Sequence, residues 1–266
     1  MAPRFASGFW GIPTATIDWC EDNYSVTTYI AEFWNTISNF IFIIPSVAAL
    51  YFAFIDHMDD RYKWCNGSVL TVGLGSWCFH MTLLYSMQLF DELPMIYGSA
   101  FLIYSHLEVE KPRNHENIPL KIILTLYCLI VTIVYLLTKH VLFFQLSYGF
   151  VVVAMSVVCC NNFRKYREAR NIFIFATVTY AFGFFLWEID QNFCGGLKLW
   201  RSEVLGPFAP IFELHAWWHL LAGTGTYLSV LYSAYLRSLV LGNKPEIKYW
   251  KKVWPYIRIT NGKALT

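Results

Sequence analysis

Seven apolar stretches, each close to the length that crosses a lipid bilayer, constrain this 266-residue chain more than any other feature. They cover residues 33–54, 67–87, 92–107, 118–138, 141–160, 172–189 and 210–236. A spanning helix needs about 20 mostly apolar residues, because in lipid every backbone polar group must be satisfied within the helix. The third stretch is the shortest and starts on a charge, which suits a helix turned toward a bundle interior. Pro45 lies inside the first and is expected to kink it; the other prolines fall near span ends. Charged residues make up 14% of the chain, against about 25% in soluble domains, so much of the surface is expected to face lipid. The expected fold is an all-α seven-transmembrane helix bundle. A net charge of +2 and the lack of a basic–aromatic module argue against nucleic-acid binding. Residues 1–32 hold acidic groups and no apolar core, so the first apolar stretch is expected to act as the insertion signal.

Lys and Arg distribute unevenly between the two sides that seven spans create. One side collects Arg61, Lys63, Lys111, Arg113, Lys121, Arg164, Lys165, Arg167, Arg170 and the tail from Arg237 to Lys263; the other holds Arg4, Lys139, Lys198 and Arg201. The positive-inside rule then places the N-terminus in the lumen and the C-terminus in the cytosol. The domain reading is a luminal segment at 1–32, a seven-helix domain at 33–236 and a basic cytosolic tail at 237–266. Of seven cysteines, Cys20 and Cys194 fall on the luminal side. An oxidising lumen would permit a disulfide between them, with two unpaired thiols as the alternative.

Ionisable residues inside a membrane are candidates for function. His57, His106, His115 and His140 lie in loops or at helix ends and read as solvated. His80, His215 and His219 lie in apolar stretches, and the chain direction brings all three to one luminal depth. His215 and His219 are four apart in HAWWH and so share a helix face, as do Ser76 and His80 in GSWCFH. Asp91 starts the third span at the same end. Three imidazoles with an open fourth position form the ligand set of a catalytic zinc site, although ligand type alone also admits copper, iron or nickel. Against this, an HxxxH pair on its own is weak, and a buried histidine is often only hydrogen-bonded. The Trp217–Trp218 pair reads as packing or an interfacial belt.

The N-terminal segment DWCEDNYS at 18–25, with Glu32, concentrates Asp18, Glu21, Asp22 and Asn23. Such oxygens could hold a calcium ion, but no EF-hand spacing is present, and composition favours a solvated acidic tail. Asn23-Tyr24-Ser25 is a glycosylation sequon on the luminal side, whereas Asn66-Gly67-Ser68 falls on the cytosolic side. Glu188 and Asp190 end the sixth span and read as structural.

Taken together, DWCEDNYS and AEFWNTISN (18–39), GSWCFHMT (75–82), MQLFDELPMIY (87–97) and FELHAWWH (212–219) resemble the alkaline ceramidases, in particular their alkaline phytoceramidase type. The resemblance spans nearly the whole chain, with little support from the loops or from residues after 241. It implies a seven-helix intramembrane amidase, of the superfamily that includes the adiponectin receptors, that hydrolyses ceramide to a sphingoid base and a fatty acid. It implies zinc on His80, His215 and His219, and Ser76 and Asp91 as catalytic residues. It also implies calcium on Asp18, Glu21, Asn23 and Glu32 with the Trp19 carbonyl, and the Cys20–Cys194 disulfide. ER and Golgi residence is a further implication; the C-terminal KALT is not a retention signal. The expected partners are ceramide and membrane lipids, with no obligate protein partner. A zinc-containing receptor, a cation transporter and a hydrolase of another lipid amide are the alternatives.

Overall fold

In the computed structural model, residues 8–113 and 115–260 are described. The helices are α1 Phe33–Ser38, α2 Phe40–Ile55, α3 Asp60–Thr82, α4 Tyr85–Leu107, α5 Ile118–Thr138, α6 Val141–Lys165, α7 Arg170–Asn192, α8 Cys194–Trp200 and α9 Leu214–Val240. Arg4 and Lys263, which entered the charge reading, and the KALT terminus, which entered the retention reading, lie outside the described residues.

Four helical segments are long and apolar enough to cross a membrane: Phe33–Ile55, Ile118–Thr138, Val141–Lys165 and Arg167–Asn192. They turn much of their apolar surface outward, as at Leu137, Val153 and Phe175. Helices α3, α4 and α9 have comparable length but carry buried polar residues, among them Ser76, His80, Glu92, His215 and His219. Those polar groups dilute the hydropathy of helices that sit inside the bundle. Helix α9 lies at its centre and packs on α7, α2, α3 and α1.

Several expectations are corrected. The first apolar stretch is two helices, joined at the buried Asn39, whose Nδ2 donates to the Asn35 carbonyl at 2.8 Å. The second and third stretches divide at Leu83–Leu84 rather than after Met87, so α4 begins at Tyr85 and both Asp91 and Pro94 lie within it. Leu83 takes a left-handed φ of 51°, which costs about 1–2 kcal/mol for a residue with a Cβ. Its carbonyl holds the N-terminal segment by accepting from the backbone N–H of Thr14 and Ala15, each at 3.0 Å. The last helix starts at Leu214, after a 3-10 turn at Gly206–Phe212.

His106 is buried against Tyr232, not solvated, whereas His57, His115 and His140 are exposed as expected. Arg237 is also buried: it pairs with Asp59 at 2.9 Å and donates to the Val109 carbonyl at 2.9 Å. The tail is not purely irregular or helical. Strands β1 Lys244–Trp250 and β2 Trp254–Thr260 pair antiparallel, and Ile257 packs with Met58, Tyr62 and Ala234. The mainly helical fold thus carries a small β-hairpin on the end of the bundle where α9 finishes.

Candidate metal and catalytic site

The N-terminal segment straps across the end of α3 that bears His80. Backbone N–H groups of Ala31 and Glu32 donate to the carbonyls of Met81 and His80 at 3.0 and 2.9 Å. The first turns of α9 bring in His215 and His219. All three imidazoles are buried, and one ring nitrogen from each lies within 4.8 Å of the others.

Hydrogen bonds orient two of the rings. His80 Nδ1 donates to Glu32 Oε2 at 2.5 Å, leaving its buried Nε2 with no protein partner. His219 Nδ1 meets the Asn35 carbonyl at 3.0 Å and Ser38 Oγ at 2.8 Å. An acceptor on one ring nitrogen fixes the tautomer and leaves the other nitrogen as a lone-pair donor. His215 Nδ1 is buried and unpartnered, and its ring stacks on Trp19 at 3.8 Å between centroids. Unpartnered imidazole nitrogens crowded into one dry volume are costly unless a cation joins them. The three rings therefore fit a metal ion, and the structure brings together the histidines that the sequence placed at one depth.

Ser76 lies one turn before His80 on α3 and is buried; its side chain stands beside Asp91 on α4. Gly75 makes this approach possible, since a Cβ there would stand 2.1 Å from the Phe90 carbonyl oxygen and 2.9 Å from the Asp91 nitrogen.

The next residue, Glu92, read in the sequence only as the charge that opens the third stretch, is also buried. It accepts from Tyr135 Oη at 2.5 Å and from Gln88 Nε2 at 3.2 Å. Gln88 Oε1 in turn accepts from the Thr16 backbone at 2.8 Å. A second carboxylate inside an apolar run was the available signal. Trp218 packs against Tyr180 and Phe184, as its packing role required.

The acidic segment is partly buried rather than solvated. Glu21 is buried and accepts from the N–H groups of Trp34 and Asn35 at 2.7 and 2.9 Å, so it caps the start of α1. Burial pushes its carboxyl up to about 8, the nearby Glu32 charge adds to the rise, and the two N–H donors oppose it. Glu32 accepts from Asn35 Nδ2 at 3.3 Å. Asn23 Nδ2 donates to Asp18 at 3.5 Å. Glu32 Oε1 and Asn23 Oδ1 are buried without protein partners. Asp22 turns outward to Lys198 at 2.6 Å. Asn66 is buried and donates to the Tyr62 carbonyl, which leaves no room for a glycan there.

Cys20 and Cys194 form a disulfide that joins the strap to α8. Asp190 accepts from the Cys20 N–H at 3.3 Å, and Glu188 accepts from Asn192, so both have structural partners. Arg201, counted in the sequence as a loop cation, is buried. It pairs with Glu213 and donates to the Cys20 carbonyl at 2.6 Å. The carboxylate in FELHAWWH was the signal for that pair.

Known proteins resemble the chain over nearly its whole length. The chain is 41% identical over 261 residues to alkaline ceramidase 3 of Mus musculus, covering 97% of both chains. It is 32% identical over 269 residues to alkaline ceramidase YPC1 of Saccharomyces cerevisiae, covering 93% of this chain and 85% of that one. It is 29% identical over 264 residues to an alkaline ceramidase of Arabidopsis thaliana, covering 97% and 98%. The family model described as Ceramidase matches residues 11–258, which include the three histidines, Ser76, Asp91 and the acidic strap, and the chain belongs to that family.

Proposed function

We propose that this chain is a zinc-dependent, calcium-supported intramembrane amidase that cleaves the amide of ceramide into a sphingoid base and a free fatty acid. The single observation that supports it most is the buried three-histidine cluster beside the Ser76–Asp91 pair in a ceramidase-family chain. Seven spans with a luminal N-terminus and a cytosolic C-terminus, in ER and Golgi membranes, complete the reading. Its basis is the skew of Lys and Arg and the comparable length of α3, α4 and α9 to the four apolar helices.

His80, His215 and His219 would hold the zinc. Bound there, it supplies Lewis acidity toward water and the amide carbonyl. Asp91 is the group assigned to take the proton of the attacking water and return it to the leaving sphingoid amine, as base and then acid. Ser76 donates a hydrogen bond to the oxygen on which negative charge develops. The substrate's two chains are already in lipid, so a site within the helix bundle spares their transfer through water.

Asp18, Trp19, Glu21, Asn23 and Glu32 would supply oxygens to calcium, a hard cation suited to carboxylates and carbonyls. Two buried carboxylates in one strap and two unpartnered buried oxygens support that assignment. Because Glu32 also holds His80, calcium would brace the metal site rather than enter the chemistry.

The test is the purified full chain assayed on a panel of ceramides, with elemental analysis of the same sample. Chelation is expected to remove activity and zinc to restore it, and His219→Ala is expected to lose both the metal and turnover. Active material without a transition metal would overturn the proposal.

A further inference from the structure

At the end of the bundle away from the histidines, α3, α4 and α5 part around a cleft of about 980 Å³. Trp64 in its wall is 16 residues along α3 from His80, about 24 Å by helical rise. The walls are apolar and face outward through Trp64, Phe101 and Leu129, all exposed. The rim is ionic and holds Arg61, Arg113 and Lys121. The Tyr104 ring carries the Arg61 guanidinium and the Lys121 ammonium, each 5.7 Å from its centroid.

Asp59, Asp60 and Glu116 also line the cleft, but each has a cation already. Asp59 is held by Arg237 at 2.9 Å and Arg113 at 3.1 Å, and Asp60 by Lys63 at 2.7 Å. Arg237 and Lys63 do not line the cleft. Arg61, mostly buried, donates to the Glu108 carbonyl at 3.0 Å and approaches Asp59 only to 3.8 Å, so three arginines share that one carboxylate and positive charge is left over. The Lys121–Glu116 pair, at 3.2 Å, joins two exposed side chains, and such a pair is too weak to withhold the lysine from a competing anion. Positive charge is therefore available where apolar walls open sideways, a pattern that matches a lipid phosphate above an acyl chain.

We propose that this cleft binds one anionic phospholipid, with its phosphate on Arg61 and Lys121 beside Tyr104 and one chain along Trp64, Phe101 and Leu129. The site is separate from the histidine centre and does not depend on its chemistry.

The full chain, stripped of lipid in detergent, is titrated with phosphatidylserine, phosphatidylcholine or inorganic phosphate. Bound lipid is counted by native mass spectrometry. One phosphatidylserine per chain is expected, held roughly tenfold more tightly than phosphatidylcholine. Lys121→Gln is expected to reduce that preference and Arg61→Gln with Lys121→Gln to remove it. Thr125→Trp, which fills the cleft from an exposed position without changing charge, is expected to block the lipid. If Arg61→Gln does not fold, Lys121→Gln and Thr125→Trp decide the matter. Equal affinity for the two lipids, binding unaffected by Lys121→Gln and Thr125→Trp, or inorganic phosphate displacing the lipid at equal concentration would overturn the proposal.

Discussion

Glu32 Oε2 lies 2.5 Å from His80 Nδ1, and both side chains are buried. The contact joins the acidic strap to the histidine cluster through one carboxylate. It holds the ring so that Nε2 faces the other imidazoles, and the negative charge makes that nitrogen a better ligand. Glu32→Gln keeps an acceptor oxygen but removes the charge. It is expected to weaken metal binding by about 10–100-fold, measured by competition against a chelator. The same variant is expected to blunt any stabilisation by calcium, read as a shift in melting temperature. Unchanged metal affinity would show that the contact is only packing.

Asp91 and Ser76 separate metal binding from turnover. Neither residue belongs to the three-histidine group, and Ser76 stands beside Asp91 where α3 and α4 approach closely. Asp91→Asn is therefore expected to retain the metal at full stoichiometry while lowering kcat by about 10²–10⁴-fold. Loss of metal in that variant would instead make Asp91 part of the metal shell.

Gly75 sets the distance between α3 and α4. With 2.1 Å between an added Cβ and the Phe90 carbonyl oxygen, no rotamer change relieves the clash, because the opposing atom is backbone. Gly75→Ala is expected to push α4 away, cost about 1–3 kcal/mol as overpacking does, and lower kcat by displacing Asp91. Thermal melting and steady-state kinetics on the same preparation check both effects. Gly67→Ala, where nothing stands within 4 Å, is the control.

What the sequence disclosed depended on how local each feature was. Apolar length marked the long helices, and the helix at Ile118–Thr138 has the boundaries expected of it. The three histidines were legible because chain direction through successive spans fixes depth, and depth was enough to group them. The break at Leu83–Leu84 was hidden because two leucines carry no turn signal; a left-handed Leu83 depends on Thr14 and Ala15 binding its carbonyl from 68 or more residues away. The hairpin turns on Lys251 and Lys252, both at positive φ without glycine or asparagine, so residues 244–260 did not read as strands. His106 sits at a helix end and looked solvated; Tyr232 and Asn162, from two other helices, enclose it. Glu32 as the partner of His80 was illegible for the same reason.

The disulfide and Arg201 act on the same few residues. Cys20 carries a bond to Cys194, its carbonyl accepts from Arg201, and Arg201 pairs with Glu213, two residues before His215. Replacing both cysteines with serine is expected to cost about 2–4 kcal/mol, mainly by freeing the unfolded chain, and thermal melting with and without reductant measures it. Arg201→Met leaves Glu213 buried without its cation and is expected to cost about 3–5 kcal/mol. Adding Glu213→Gln removes the stranded charge and should recover part of that loss. Metal retention tells the two links apart: the cysteine variant keeps the Arg201–Glu213 brace at the start of α9, so its metal affinity should fall less than that of Arg201→Met. If Glu213→Gln recovers nothing, the pair is not what holds His215 in place.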